Sequence, residues 1–227
     1  MKMKKLSLFC GAVLLGNLSL AQAELSANVG VTSNYLWRGV SQTDDGPAVS
    51  GGIDWSHDSG FYLGTWASNI DWGQGAGAEV DFYGGYGFDL GEAGLDVGAI
   101  YYYYPASDYD DSDFLELYLN ASWKFLEAGI AWTVNGDADD DAPFSEGDLY
   151  YHISVGFDVA ESWSIGGTWG YYDFDVPNSS DFSYYHIQGD LTKSAGDWGD
   201  FTFTVSKAEE ESGDDDVKFL VSWSKSF

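Results

Sequence analysis

The gaps between the strand-like stretches of this chain alternate in kind. Every second gap is long and acidic, and the gaps in between are short and poor in acid clusters. A hairpin meander that crosses a membrane produces this two-beat rhythm, because transmembrane β-barrels carry short turns at one rim and long loops at the other. A soluble β-protein has no physical reason to keep it. Beyond the first twenty residues no apolar run reaches the roughly 18 residues of a helical span. A membrane crossing by this chain therefore requires a closed barrel, the only strand arrangement that leaves no backbone group unpaired in hydrocarbon.

Period-two alternation marks twelve segments, each about as long as a tilted transmembrane strand. They run Leu25 to Trp37, Ala48 to Ser56, Phe61 to Ile70, Val80 to Leu90, Leu95 to Tyr104 and Phe114 to Trp123. The second half continues with Ala128 to Val134, Leu149 to Val159, Trp163 to Asp173, Phe182 to Thr192, Phe201 to Lys207 and Val217 to Phe227. The expected architecture is an all-β, antiparallel, up-and-down barrel of about 12 strands. In the first segment Leu25, Ala27, Val29, Val31, Tyr35 and Trp37 are predicted to face lipid, with Asn28, Thr32, Asn34 and Arg38 toward the lumen. Alternation is clean from Leu149 to Val159 and mixed on both faces from Phe61 to Ile70.

The N-terminus sets the expected compartment. Lys2, Lys4 and Lys5 precede an apolar run from Leu6 to Leu20, followed by Ala21-Gln22-Ala23. This order reads as a secretory signal over 1–23, cleaved to leave 24–227 as one barrel domain. Cys10, the one cysteine, lies inside the signal behind Phe9, so neither a lipid anchor nor a disulfide is expected. With 37 acids against 9 basic residues the formal net charge is −28, and losing three signal lysines makes it more negative still. Such a surface repels nucleic acid and draws cations.

The acid is concentrated in the gaps Gly39 to Pro47, Asp71 to Glu79, Pro105 to Asp113, Asn135 to Asp148, Phe174 to Asp181 and Ala208 to Asp216. These are assigned to the extracellular side, and include Asp108, Asp110, Asp111, Asp139, Asp140 and Asp141. The gaps His57 to Gly60, Gly91 to Gly94, Lys124 to Glu127, Ala160 to Ser162 and Lys193 to Gly199 are assigned to the periplasm. Tyrosine clusters at 101–104, 150–151, 171–172 and 184–185 fall near strand ends, where interfacial girdles stand. The chain ends in Phe227 with Trp223, Val221 and Phe219 on the same face, and Lys225 is placed to snorkel toward the interface. This ending is similar to the C-terminal signature of outer-membrane barrels and names the barrel-assembly machinery as an expected partner.

The block Ser33-Asn34-Tyr35-Leu36-Trp37-Arg38-Gly39-Val40-Ser41-Gln42-Thr43, then Gly46-Pro47-Ala48 and Gly60-Phe61-Tyr62-Leu63-Gly64-Thr65-Trp66-Ala67-Ser68-Asn69, resembles the TorF-type putative porins of proteobacteria. Glu79-Val80-Asp81, Tyr83-Gly84-Gly85-Tyr86, Tyr103-Tyr104-Pro105 and the terminal Ser224-Lys225-Ser226-Phe227 fit as well. The resemblance implies an outer-membrane barrel proposed to pass small solutes. It brings no substrate and no catalytic residue.

Arg38, the one arginine, has two readings. It projects into the pore as a selectivity point against Asp44, Asp45 or Asp54, or it ties the first loop to the barrel wall through a bidentate pair. Asp54, Asp81, Asp96 and Glu116 lie mid-strand on or near the polar face. They line a cation-selecting lumen, or they pair with Lys218 and with hydroxyls. No acidic loop has the spacing of a calcium loop, so divalent ions are expected at most as bridges to lipopolysaccharide phosphates. His57, His152 and His186 have no paired serine, which argues against a hydrolase, and no metal or cofactor is expected. The expected function is a passive, cation-leaning channel for small hydrophilic solutes in the bacterial outer membrane. The alternative is a narrow or plugged barrel with a structural or adhesive role.

Overall fold

The computed structural model describes residues 23–73, 75–106, 112–138, 142–176 and 182–227. The expected signal up to Gln22, and the loop acids Asp108, Asp110, Asp111, Asp139, Asp140 and Asp141, lie outside the described residues. The chain begins with β1 (Glu24–Thr32), a two-residue-strand hairpin of β2 (Leu36–Trp37) and β3 (Val40–Ser41), and β4 (Ala48–Ser56). There follow β5 (Phe61–Asp71), β6 (Ala76–Leu90), β7 (Ala93–Tyr103), β8 (Phe114–Trp123) and β9 (Leu126–Gly136). The last five are β10 (Leu149–Ala160), β11 (Trp163–Asp173), β12 (Tyr184–Ser194), β13 (Asp200–Ala208) and β14 (Lys218–Ser226). Twelve of these strands, all but β2 and β3, pair antiparallel in sequence order and close into one barrel through β1 and β14.

Register fixes the faces. Asn28, Gly52, Trp66, Asp81 and Tyr102 follow one another around the wall as one inward row. The neighbouring row, Ala27, Ile53, Thr65, Phe82 and Tyr101, faces out. Side chains alternate across a strand, so each row repeats at every second residue. The outer face is a continuous apolar belt, with Leu63, Phe82, Leu119, Ile153 and Phe203 all exposed. On a soluble protein an apolar surface of that extent is a liability; against lipid it is the stable arrangement.

The mixed pattern of β5 has a packing cause. Tyr62, Trp66 and Ile70 point inward, so both faces carry apolar residues, while outward Asn69 is spent on the backbone of the neighbouring loop end. The tyrosine clusters split in the same way. Tyr102, Tyr104, Tyr150, Tyr172 and Tyr184 are buried inside, and only their neighbours, such as Tyr101 and Tyr185, stand outside as a girdle would.

The first strand is shorter than expected. It stops at Thr32, where the Thr32 hydroxyl donates to the Asn34 carbonyl at 2.7 Å and turns the chain inward. Tyr35 and Trp37 therefore do not face lipid; they enter the lumen with the segment 33–47. At the other end β6 begins at Ala76, which moves Glu79 from an acidic loop into the wall, where it is 1% exposed.

Closure is completed by the last residue. The Phe227 N–H donates to the Ala27 carbonyl at 2.8 Å and the Ala27 N–H returns to Phe227 at 3.3 Å. Lys225 donates to the Asp197 carbonyl at 2.8 Å, holding the short-turn rim together. Thr32 and Ser222 are directly opposed inward residues across this seam. They form a non-hydrogen-bonded pair, whose Cα atoms stand about 4.5 Å apart, inside the disulfide range of roughly 4.4–6.8 Å. In a Cys10→Ser background, Thr32→Cys with Ser222→Cys should oxidise to a disulfide and give a non-reducing gel shift. Failure to cross-link, with both thiols free in folded protein, would contradict the closed seam.

Candidate functional site

The lumen is divided along its axis. The half near the long-loop rim is filled, chiefly by the segment 33–47, and the half near the short turns is lined by small and polar residues that stay half-exposed. The inserted segment is built around the β2–β3 hairpin. Its two-residue turn, Arg38-Gly39, has positive φ at both positions (49° and 88°), the geometry that matches hairpin twist. Gly39 meets a second demand: a Cβ there would collide with the Cβ and ring of His186 on β12. The tip of the hairpin thus rests against the far wall. Arginine is a poor residue for a left-handed φ, so its presence at 38 breaks a local rule for the sake of its side chain.

That side chain reaches β8. Arg38 Nη1 donates to Glu116 Oε1 at 2.7 Å and Nη2 to Oε2 at 2.6 Å, a bidentate pair in which both side chains are buried. The guanidinium carbon lies 4.2 Å from the ring centroid of Trp37, 4.1 Å from Tyr150 and 4.8 Å from Tyr172. Each contact places the cation against the negative face of an aromatic ring, worth up to about 2 kcal/mol when desolvated. The Tyr102 hydroxyl approaches Glu116 Oε2 at 3.4 Å. Around this centre Trp37, Tyr102, Phe114, Phe144 and Tyr172 pack edge to face, tilted or stacked, forming an apolar core inside the barrel.

Other contacts fasten the segment around its edge. The Tyr35 hydroxyl donates to Glu79 Oε1 at 2.6 Å and the Tyr104 hydroxyl to Oε2 at 2.9 Å, so both oxygens of this buried carboxylate have donors. Lys218 bridges Asp45 at 2.8 Å and Asp214 at 2.6 Å, and the Ser41 N–H donates to Asp214 at 2.8 Å. From the opposite side Phe144 enters the core with a left-handed φ of 69°, its N–H held by Asp148 at 2.6 Å. Asp148 also accepts the Asp175 N–H at 2.8 Å; burial pushes its carboxyl up to about 6, against the pull of these donors. Asp148, the last residue of an expected extracellular gap, is a buried loop clamp.

The five sequence candidates all reach the lumen, at two levels. Arg38 pairs with Glu116, not with Asp44, Asp45 or Asp54. Asp44 and Asp45 sit on its own loop, and Asp45 is taken by Lys218 and Asn34. Lys218 in turn pairs with Asp45 and Asp214 and with none of the wall acids. Asp81 and Glu116 belong to the filled half; Asp81 Oδ1 is buried with no hydrogen-bond partner among the described residues. Asp54 and Asp96 belong to the half-exposed half. Asp54 accepts from the Tyr83 hydroxyl and from Asn28 at 3.3 Å, and Asp96 accepts from Tyr62 at 2.7 Å. The wall is thinned for these tyrosines: a Cβ at Gly85 or Gly98 would strike the ring of Tyr62 or Tyr118. The rings lie flat against the sheet instead of standing into the lumen.

Glu79, Trp37, Phe144 and Tyr172 were not among the sequence candidates. The only signal for Glu79 was its place beside Asp81 in a family-like block. Phe144 carried none, because its role depends on where a long loop folds. No group of three or more metal-ligating side chains is present among the described residues.

A closed 12-stranded barrel with an apolar exterior and a polar, partly filled lumen defines a porin-like fold. The chain belongs to the family Gcw_chp, bacterial proteins of unknown function, whose model matches residues 19–224. That model does not carry the TorF name. No curated protein matches the sequence. Among solved structures the chain is similar to the KdgM porin, at a TM-score of 0.61 and 11% identity, over 89% of this chain and 99% of that one. It is also similar to the KdgM porin in complex with disordered oligogalacturonate (TM-score 0.57, 10% identity, 91% and 99% coverage). The NanC porin matches with a TM-score of 0.52 and 11% identity, over 88% and 98% of the two chains. At these identities the likeness establishes the shared fold.

Removing one member of a buried ion pair strands the other, which typically costs about 3–5 kcal/mol. Arg38→Gln and Glu116→Gln should each lower the urea unfolding free energy by that order. The double variant should lose much less than the sum, giving a coupling of about 2–3 kcal/mol in a double-mutant cycle. Additive effects would contradict a direct pair.

Proposed function

We propose that the protein is an outer-membrane channel of porin type for small hydrophilic solutes, constricted at its extracellular half by the segment 33–47. The observation that carries this reading is the lumen of the closed barrel: small and acidic side chains, half-exposed, line one half, and the inserted segment 33–47, joined by Phe144, fills the other. A barrel whose only task is to anchor has no need of a polar vestibule. The similarity to KdgM and NanC porins supports the reading, as does the resemblance of residues 33–43 to TorF-type porins, which names no solute. In this orientation the short turns are periplasmic and the acidic loops extracellular.

The channel leans toward cations. Asp54 and Asp96 face the vestibule, and the net charge of −28 concentrates cations at the mouths. The surrounding acidic loops suit divalent bridges to lipopolysaccharide phosphates, and the Phe227 end suits the assembly machinery. A plugged structural barrel is the second reading, favoured by the buried Arg38–Glu116 pair itself.

Single-channel recording of the refolded protein in a planar bilayer, under a salt gradient, separates them. The channel reading expects discrete steps with a cation-selective reversal potential, larger or more frequent steps in Arg38→Gln, and reduced selectivity in Asp54→Asn with Asp96→Asn. Folded, heat-modifiable protein that stays silent in both the wild type and Arg38→Gln would leave the structural barrel.

A further inference from the structure

The surroundings of Arg38 on the barrel wall combine a carboxylate with aromatic faces, the groups that hold an organic cation. The wall supplies a carboxylate with both oxygens presented to a planar cation, from Glu116 on β8. It also supplies two ring faces about 4–5 Å from that cation, Tyr150 on β10 and Tyr172 on β11. These three groups stand on three strands of a closed sheet, outside the inserted segment. Arg38 and Trp37 come in from outside on a hairpin, and their tip residue bears an unfavoured backbone conformation. We propose that Glu116, Tyr150 and Tyr172 form a lumenal site for guanidinium-like organic cations, occupied here by Arg38 as a tethered surrogate, and that a solute of this class competes with Arg38 for it.

Three observations favour a ligand site over a purely structural bridge. First, a structural tie to a loop needs one carboxylate; enclosing the cation in aromatic faces as well is the arrangement by which proteins select organic cations over hydrated metal ions. Second, the Tyr172 hydroxyl and the Thr133 hydroxyl are fully buried and have no partner among the described residues. Thr133 stands directly beside Glu116 in register. Polar atoms left in this way at the edge of a carboxylate pocket are donors and acceptors available to a larger occupant than one guanidinium. Third, the hairpin that carries the surrogate is part of one continuous segment, tied at the long-loop rim by Asp45–Lys218 and Ser41–Asp214, where Asp45 is 58% exposed, and deeper by Tyr35–Glu79 and Gln42–Trp72.

On the channel reading this site is also the latch: a solute cation that takes Glu116 releases Arg38, and with it the hairpin that fills the outer half. The gating consequence rests on that reading, whereas the binding does not. A planar, delocalised cation is required because Glu116 is engaged through two parallel N–H donors, which an ammonium cannot present in the same plane.

Ethylguanidinium, with ethylurea as its uncharged isostere, is the probe. Binding is measured by calorimetry on folded protein in detergent, a readout independent of conductance. Arg38→Gly removes the surrogate and suits the left-handed turn. It should bind ethylguanidinium at least tenfold more tightly than the wild type, and ethylurea not measurably; adding Glu116→Gln should abolish the gain. Should Arg38→Gly not fold, Arg38→Lys reads the same competition, because a lysine holds the site less well and should leave an affinity between the two. Equal affinity in wild type and variants, or a gain that survives Glu116→Gln, would overturn the site. Binding as expected in a protein that never conducts would keep the site and remove the latch.

Discussion

In hydrocarbon a backbone N–H or C=O without a partner costs several kcal/mol, and every other feature of this molecule is arranged around satisfying that constraint. The sheet must close, so β14 returns to β1, and the chain ends on a residue that pairs with Ala27 through both backbone groups. Closure at twelve strands then creates a second problem. The enclosed space is too wide to be filled by wall side chains alone, as an eight-stranded barrel is, and too narrow for the open lumen of a sixteen-stranded one. The chain solves this differently at its two ends.

Near the short turns, aromatic rings lie flat over glycines and leave space bordered by Asp54, Asp96 and small residues. Near the long loops, a hairpin and Phe144 fill the space with an aromatic core, centred on the Arg38–Glu116 pair. A buried pair of this kind is weak evidence for net stability, because the desolvation of both ions opposes their attraction. It is better understood as a device of position: only one placement of the hairpin puts Arg38 on Glu116 and between two tyrosine rings. The proposed latch uses this position: a cation that takes Glu116 deprives the hairpin of its central contact.

The barrel was legible because its signal repeats. Period-two alternation and the rhythm of the gaps recur over the whole chain, so an error at one boundary does not disturb the rest; β4 and β11 run over the expected residues. What failed was local and had one cause. Alternation assigns apolar residues to lipid, and it cannot tell a lipid-facing tryptophan from one that turns back into the lumen. Trp37 and Tyr35 continue the phase of Val29 and Val31, which points them outward, although the chain leaves the sheet at Thr32. The same blindness divided the tyrosine clusters and hid Glu79. Arg38 was visible as the one arginine, but its partner Glu116 is 78 residues away and joined to it only by the closure of the barrel. Pairing across a lumen leaves no trace in sequence spacing.

On the proposed function, the segment 33–47 separates a water-accessible vestibule from a closed outer half. Cysteines placed one at a time at Thr202, on the half-exposed inner face of β13, and at Thr133, fully buried on β9, test it directly in a Cys10→Ser background. Reaction rates with a small, water-soluble thiol reagent should be fast at Thr202 and slow at Thr133, and Arg38→Gln should accelerate the second without changing the first. Equal reactivity at both positions with Arg38 in place would contradict the account.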